Sequence, residues 1–405
     1  MTPVAHRSAA PNPGSRAAHR GGRGVIKPFA GLIEAVIVED PAPISFPGCV
    51  ARSHAQACWV WVYRDLAGDL IGMADIENGK FTVEALEPLL PQLMLRMHEA
   101  LAKAEEDPEA SRRLRAMLGS DEARNALPVL LNALRARALL DKAQAFGRAL
   151  NSINDDNAIS TALHSMPLQD PPLAALLFHA AIEQVANPSR LIASIIKTSG
   201  TFTETGMARL GLGPVLEAIM AHAQNQLYLL QPSGPFADVD LMCRGLDRYH
   251  RLIRSLTGYI EFSRGSRWTL TLSSITKQIS DRIEPRMRDI VPDLILALRR
   301  GREGAVDRLD DDRVLAAISG IYLLNAIRDS RDSLALNALF DQAWVQSGEA
   351  LETHLQRNLE LLRQNPADPV VGKRLDAGIK MAEIRFNPEY AETLKRARIA
   401  AERRS

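Results

Sequence analysis

The chain has 405 residues, enough for two or three domains with sizeable cores, and 46% of it is hydrophobic, which excludes a disordered protein. Its formal net charge of +1 excludes a global field that would steer it to nucleic acid, so any such role needs a local patch. Aromatics make up only 5%, which favours Ala, Leu, Ile and Val cores and helix-on-helix packing over aromatic-rich sheets.

Three cysteines, Cys49, Cys58 and Cys243, are too few for a disulfide framework. They fit a reducing compartment, and a cytoplasmic location is expected. No run of about eighteen apolar residues appears, so no membrane span is expected. Residues 1–27 carry Arg7, Arg16, Arg20 and Arg23 among Gly, Pro and Ser, with no acid, and read as a disordered basic tail.

Ala30 to Glu39 is apolar and fits a short helix or a strand. Asp40-Pro41-Ala42-Pro43 stops it, and Phe46-Pro47-Gly48 makes a turn. Val50 to Ile71 has helical character. From Val83 onward nearly every segment does, with Pro88 and Pro91 as kinks or restarts. Asp107-Pro108, Asn187-Pro188 and Asn387-Pro388 each place a capping side chain before a proline at the first helical position. Asp121 is expected to cap a short stretch, and Pro128 to open a helix reaching Leu150. Pro171-Pro172 and Gly213-Pro214 open two more.

Gln231-Pro232-Ser233-Gly234-Pro235 is the clearest break inside the chain. It divides an N-terminal helical region, 28–230, from a C-terminal one, 236–405. Beyond it, Leu241 to Phe262 reads as a strongly amphipathic helix. Trp268 to Leu272 alternates like a strand but lies between helices. Leu272–Ile283, Met287–Leu298, Val314–Arg328, Ser333–Gln346, Glu349–Gln364, Lys373–Arg385 and Pro388–Arg403 read as successive helices, with a charged loop or helix start over Gly301–Arg313. No fixed repeat period survives counting. Trp344-x-x-Ser347-Gly348 and Asn387-Pro388-x-Tyr390-Ala391 match a few positions of the tetratricopeptide repeat and miss the rest. The expected fold is therefore all-α, an irregular multi-helix bundle or helical array with short connections.

Six arginines crowd the stretch after the break: Arg244, Arg248, Arg251, Arg254, Arg264 and Arg267. On a helix, Met242, Leu246, Tyr249, Leu252, Ile253, Leu256 and Ile260 form one face. Arg244, Arg248 and Arg251 form the other, with Arg254 at its edge. Guanidinium groups offer permanent charge and a flat donor fork suited to carboxylate or phosphate. The face is expected either to be solvated, with Asp247 pairing to Arg251, or to contact an acidic protein or anionic ligand. Nucleic acid is the weaker alternative.

Trp59, Trp61 and Tyr63 form the densest aromatic group, and belong either in a core or at an interface. Cys49, His54 and Cys58 have a metal-like spacing without a fourth ligand or a C-x2-C knuckle. His179 and Glu183 lie one helical turn apart with no third partner. Asp310-Asp311-Asp312 resembles the magnesium-binding motif of all-helical prenyl-diphosphate enzymes, but it lacks a second motif and an aromatic cavity; its aspartates also suit a helix N-terminus. Phosphate-loop, dinucleotide, nucleophile-elbow and HExxH signatures are absent. These observations lead to the expectation of a non-enzymatic helical scaffold or adaptor without a cofactor, whose helix surfaces bind another protein.

Overall fold

A computed structural model describes residues 28–153, 155–230, 238–300 and 308–403. The basic tail 1–27, the break at Gln231–Pro235, part of the Gly301–Arg313 loop and Arg404 lie outside the described residues. The fold is all-α, with one minimal two-stranded sheet among the described residues. The chain forms two compact units. One runs through Ala186 and includes Leu210–Ala221; the other comprises Asn187–Arg209 and His222 onward.

The N-terminal unit starts with helix α1 (28–33) and a 3-10 turn at Glu34–Val36, then strand β1 (Ile37–Val38). The apolar stretch read as helix or strand is thus both in turn. β1 pairs in parallel with β2 (Val50–Ala51), Ile37 opposite Val50. The connection is anchored by charge. Arg52 reaches Glu34 at 2.5 Å and Glu39 at 2.8 Å, while the Asp40 carboxylate accepts from the Ser53 amide at 2.9 Å. Helix α2 (Arg52–Trp61) follows and widens into a π turn at Val62–Leu66.

Short helices α3 (Met73–Glu77) and α4 (Val83–Leu86) lead to α5 (Leu90–Glu106). Pro88 sits in the 3-10 turn Glu87–Leu89, and Pro91 lies in the first turn of α5, so both prolines mark restarts. Helices α6 (Pro108–Leu118), α7 (Asp121–Arg135), α8 (Arg137–Ala149), α9 (Asp156–His164) and α10 (Pro171–Gln184) complete the run. Asp107 caps α6 by accepting from the Glu109 amide at 2.8 Å. At α7 the cap is Ser120, whose Oγ accepts from the Ala123 amide at 3.0 Å, so the capping role expected of Asp121 falls one residue earlier. Pro128 lies inside α7 and opens nothing.

Leu127, Leu130, Leu131 and Leu134 carry α7 into the core of this unit. Helices α8 and α10 cross closely at Gly147: a Cβ there would lie 2.2 Å from the Ala181 carbonyl oxygen. Gly48 has a positive φ of 79° and presses on the Ala175 backbone, where a side chain would collide. The first residues of α13 (Gly213–Asn225) also belong to this unit, through Ala221.

The C-terminal unit contains α11 (Pro188–Ser199) and α12 (Glu204–Arg209). A single parallel bridge joins Thr203 to Glu261, with the Glu204 amide donating to the Glu261 carbonyl at 2.9 Å. Its main body consists of α14 (Val239–Thr257), α15 (Arg267–Leu298), α16 (Asp311–Ser330), α17 (Asn337–Gln364), α18 (Pro369–Arg385) and α19 (Pro388–Glu402). Helix α15 packs on α16 and α17. Helix α16 also meets α14 and α18, and α18 meets α17 and α19.

Two pairs of expected helices are continuous. Helix α15 runs for 32 residues, about 48 Å at 1.5 Å per residue, straight through Pro285 and Pro292. Each proline removes one backbone donor, yet buried Ile275, Ile279, Ile283, Met287, Ile290 and Leu294 keep a single apolar stripe across both. Helix α17 likewise passes through buried Gly348. Trp268–Leu272 is helical, because Ser266 caps α15 by accepting from the Thr269 amide at 3.1 Å.

Candidate functional site

Helix α14 is positioned by its apolar face. Asp238 caps it by accepting from the Leu241 amide at 3.1 Å. Met242, Leu246, Tyr249, Leu252, Ile253 and Leu256 are buried, on the side expected from their spacing. The Tyr249 hydroxyl donates to the Ser333 carbonyl at 2.9 Å and lies 3.0 Å from Thr276 Oγ1, which ties α14 to α15 and to the turn after α16. Burial pushes this phenol up to about 12. The Ser333 hydroxyl also lies 2.9 Å from His250 Nδ1.

The opposite face is mixed. Arg244 pairs with Asp240 at 2.5 Å, and Arg251 pairs with Asp247, each one helical turn earlier. Both pairs are exposed, where such contacts contribute about 0.3–0.5 kcal/mol. Arg254 is exposed and forms no ion pair among the described residues. Arg248, between the two paired arginines, is half-buried. Burial, then the neighbouring Arg251 charge, pulls its guanidinium down to about 10, against the pull of Asp247. Burial and the Arg254 charge also hold His250 below the ordinary imidazole range. Burial is the larger cause in both, with one neighbouring arginine adding to it and Asp247 opposing it. Arg264 lies in the turn after the helix and Arg267 opens α15, both exposed, so neither extends the helical stripe.

The aromatic trio sits elsewhere. Trp59 and Trp61 are buried in the N-terminal core, and Tyr63 is half-buried beside them. Trp59 stacks on Phe29 at 5.2 Å and meets Tyr63 edge-on at 5.6 Å and Phe81 at 6.2 Å. Trp61 projects from another side of the same helix, and the core reaches it there too.

The remaining motifs resolve into local structure. The Cys58 thiol donates to the Ala123 carbonyl at 3.3 Å, and the Cys49 thiol to the Phe46 carbonyl at 3.5 Å. Burial pushes both up to about 12, which holds them as thiols. Among the described residues, no three His, Cys, Asp or Glu side chains are grouped to hold a metal. His179 is buried, whereas Glu183 points outward and accepts from Gln144 Nε2 at 3.1 Å, so the two do not act together. Asp310 accepts from the Arg313 amide at 3.2 Å and caps α16, while Asp311 and Asp312 occupy its first turn.

One charged group escaped the sequence reading. Arg385, at the end of α18, is buried against Trp344 of α17, 41 residues away along the chain. No described helix is long and apolar enough to cross a membrane. Protein-family models, curated proteins and solved structures returned no match to the chain.

Proposed function

We propose that the protein is a non-catalytic adaptor whose α14 face binds an acidic polypeptide surface. The observation that carries this reading is the surplus of arginine over aspartate on α14, with Arg254 exposed and outside any ion pair among the described residues. Four arginines against two aspartates leave two positive charges on the helix. A partner carboxylate would meet the exposed Arg254 guanidinium and offset the Arg251 charge beside Arg248. The rigid seating of the apolar face through Tyr249 supports the reading, because a partner then meets a preorganised surface.

Nucleic acid is the second reading, and the same two-charge excess argues against it. Releasing few counterions gives little affinity at ordinary salt. The chemistry of the other motifs supports a non-enzymatic protein: the two N-terminal thiols are held protonated, and Asp310 is engaged as a cap.

The test is titration with poly-L-glutamate and, separately, with single-stranded polyuridylate at low and moderate salt. The adaptor reading expects saturable binding of the polypeptide, weakened by salt and reduced at least about tenfold in Arg248→Glu/Arg254→Glu, a loss of about 1.4 kcal/mol. Preferential binding of polyuridylate, with a steep salt slope, would replace it with the second reading. Polypeptide binding equal in the wild type and the double variant would remove α14 from consideration.

A further inference from the structure

A second cationic site stands apart from α14, where α16, α17 and α18 meet. Its centre is Arg385, which is only 8% exposed. The Arg385 guanidinium lies 3.4 Å from the centroid of the Trp344 ring and 5.3 Å from that of Phe386. Its Nη2 donates to the Trp344 carbonyl at 2.6 Å, and its Nε donates to Ser347 Oγ at 3.2 Å. Gly348 lies alongside; a Cβ there would be 3.4 Å from Nη2. These contacts fix the guanidinium plane, but every acceptor among them is neutral.

Arg385 has no ion pair among the described residues, and its Nη1 has no hydrogen-bond partner among them. A buried cation is ordinarily matched by a buried anion. Instead a second cation is close. Arg328 of α16 lies 5.5 Å from the same Trp344 ring, with its Nε bonded to Asp329 and its side chain half-exposed. Burial, followed by the Arg328 charge, pulls Arg385 down to about 10. The carboxylate whose field reaches Arg385 is that of Glu352, and it stops short of an ion pair. Nearby, Asn325 donates to the Ile384 carbonyl at 2.6 Å, while its own buried Oδ1 has no partner. The junction therefore holds a fixed, largely buried guanidinium whose own hydrogen bonds go only to neutral acceptors, with the Arg328 charge beside it and the Glu352 charge opposing it.

We propose that Arg385, assisted by Arg328 and screened by Trp344, is a binding site for an oxyanion, the carboxylate or phosphate group of a ligand. The free Nη1 donors of Arg385 face the anion, and the aromatic rings hold the guanidinium flat for it. Glu352 opposes the anion and sets its affinity. The site is independent of α14, so it stands or falls without the adaptor reading.

The experiment uses the full chain, titrated separately with inorganic phosphate and with acetate, and read by calorimetry and tryptophan fluorescence. Trp344 is half-buried beside the site, whereas Trp59, Trp61 and Trp268 are buried. Saturable binding of either anion is expected, and the tighter of the two identifies the source of the group. Glu352→Gln should tighten binding several-fold. Arg328→Gln, at a half-exposed position, should weaken it about tenfold without unfolding the chain. Trp344→Phe should silence the fluorescence change while calorimetric binding persists. Arg363→Gln, which removes an exposed arginine paired with Glu360 on α17, should leave affinity unchanged. Absence of saturable binding by both anions, or affinities that do not respond to Glu352→Gln and Arg328→Gln, would overturn the proposal.

Discussion

Trp59 in the N-terminal unit and Trp344 in the C-terminal unit meet opposite surroundings. Trp59 is fully buried among Phe29, Tyr63 and Phe81. Trp344 is half-buried, with Phe340 on one side and two guanidinium groups, Arg385 and Arg328, near its ring. The same side chain thus contributes apolar area in one unit and a π face for cations in the other. The contrast extends to the polar groups. The N-terminal unit gives backbone carbonyls to its neutral thiols, that of Ala123 to Cys58 and that of Phe46 to Cys49, whereas the C-terminal unit gives one to a permanent charge, Arg385, as well as to Tyr249 and Asn358.

The largest expected effect separates the two tryptophans directly. Trp59→Ala should cost about 3–5 kcal/mol in urea unfolding, the range for emptying a buried aromatic site. Trp344→Ala should cost less, about 1–2 kcal/mol, because its ring is partly exposed and its cation contact is worth about that much. Equal costs would break the comparison. Gly147→Ala should come next, at about 1–3 kcal/mol, since its Cβ would press on the Ala181 carbonyl and push α8 from α10. Tyr249→Phe should cost about 1–1.5 kcal/mol by leaving the Ser333 carbonyl without its donor.

A smaller effect concerns pH and sharpens the electrostatic half of the contrast. His250 and His354 both have lowered proton affinity in the folded chain, by burial and then by Arg254 and Arg357 respectively. The unfolded chain binds more protons than the folded one as pH falls through the ordinary imidazole value of 6.5, so stability is lost in that direction. Denaturation midpoints at pH 7.5 and 5.5 should therefore differ less in His250→Gln/His354→Gln than in the wild type. The smallest effect on stability belongs to Arg254→Glu, within about 0.5 kcal/mol, because the residue is exposed.

Legibility from the sequence followed the range of each interaction. The buried face of α14 was readable because it repeats every three to four residues. The caps at Asp107 and Asn387 were readable because a cap acts within its own turn. Asn187 begins α11 but makes no capping hydrogen bond with its side chain, so composition there predicted the boundary and not the contact. The division expected between Ile283 and Met287, around Pro285, did not hold because the burial of neighbouring residues, a tertiary effect, carries α15 through it, as it does through Pro292 inside the expected helix Met287–Leu298. The inward turn of Trp59 and Trp61 could not be separated from an interface role by spacing alone. Arg385 was invisible as a site: its partners lie on two other helices, α16 and α17, and nothing local marks the end of α18 as the place where they meet. Four of the residues that partly matched a repeat signature, Trp344, Ser347, Gly348 and Tyr390, gather around that arginine and its flanking Phe386, whereas Asn387 of the same match caps α19.

The adaptor reading rests on the charge left over on α14, and removing the two aspartates that offset it is the most direct test. Binding of poly-L-glutamate to Asp240→Asn/Asp247→Asn should be severalfold tighter than to the wild type, because Arg244 and Arg251 would be freed from Asp240 and Asp247. Unchanged or weaker binding in a variant that folds normally would contradict the account.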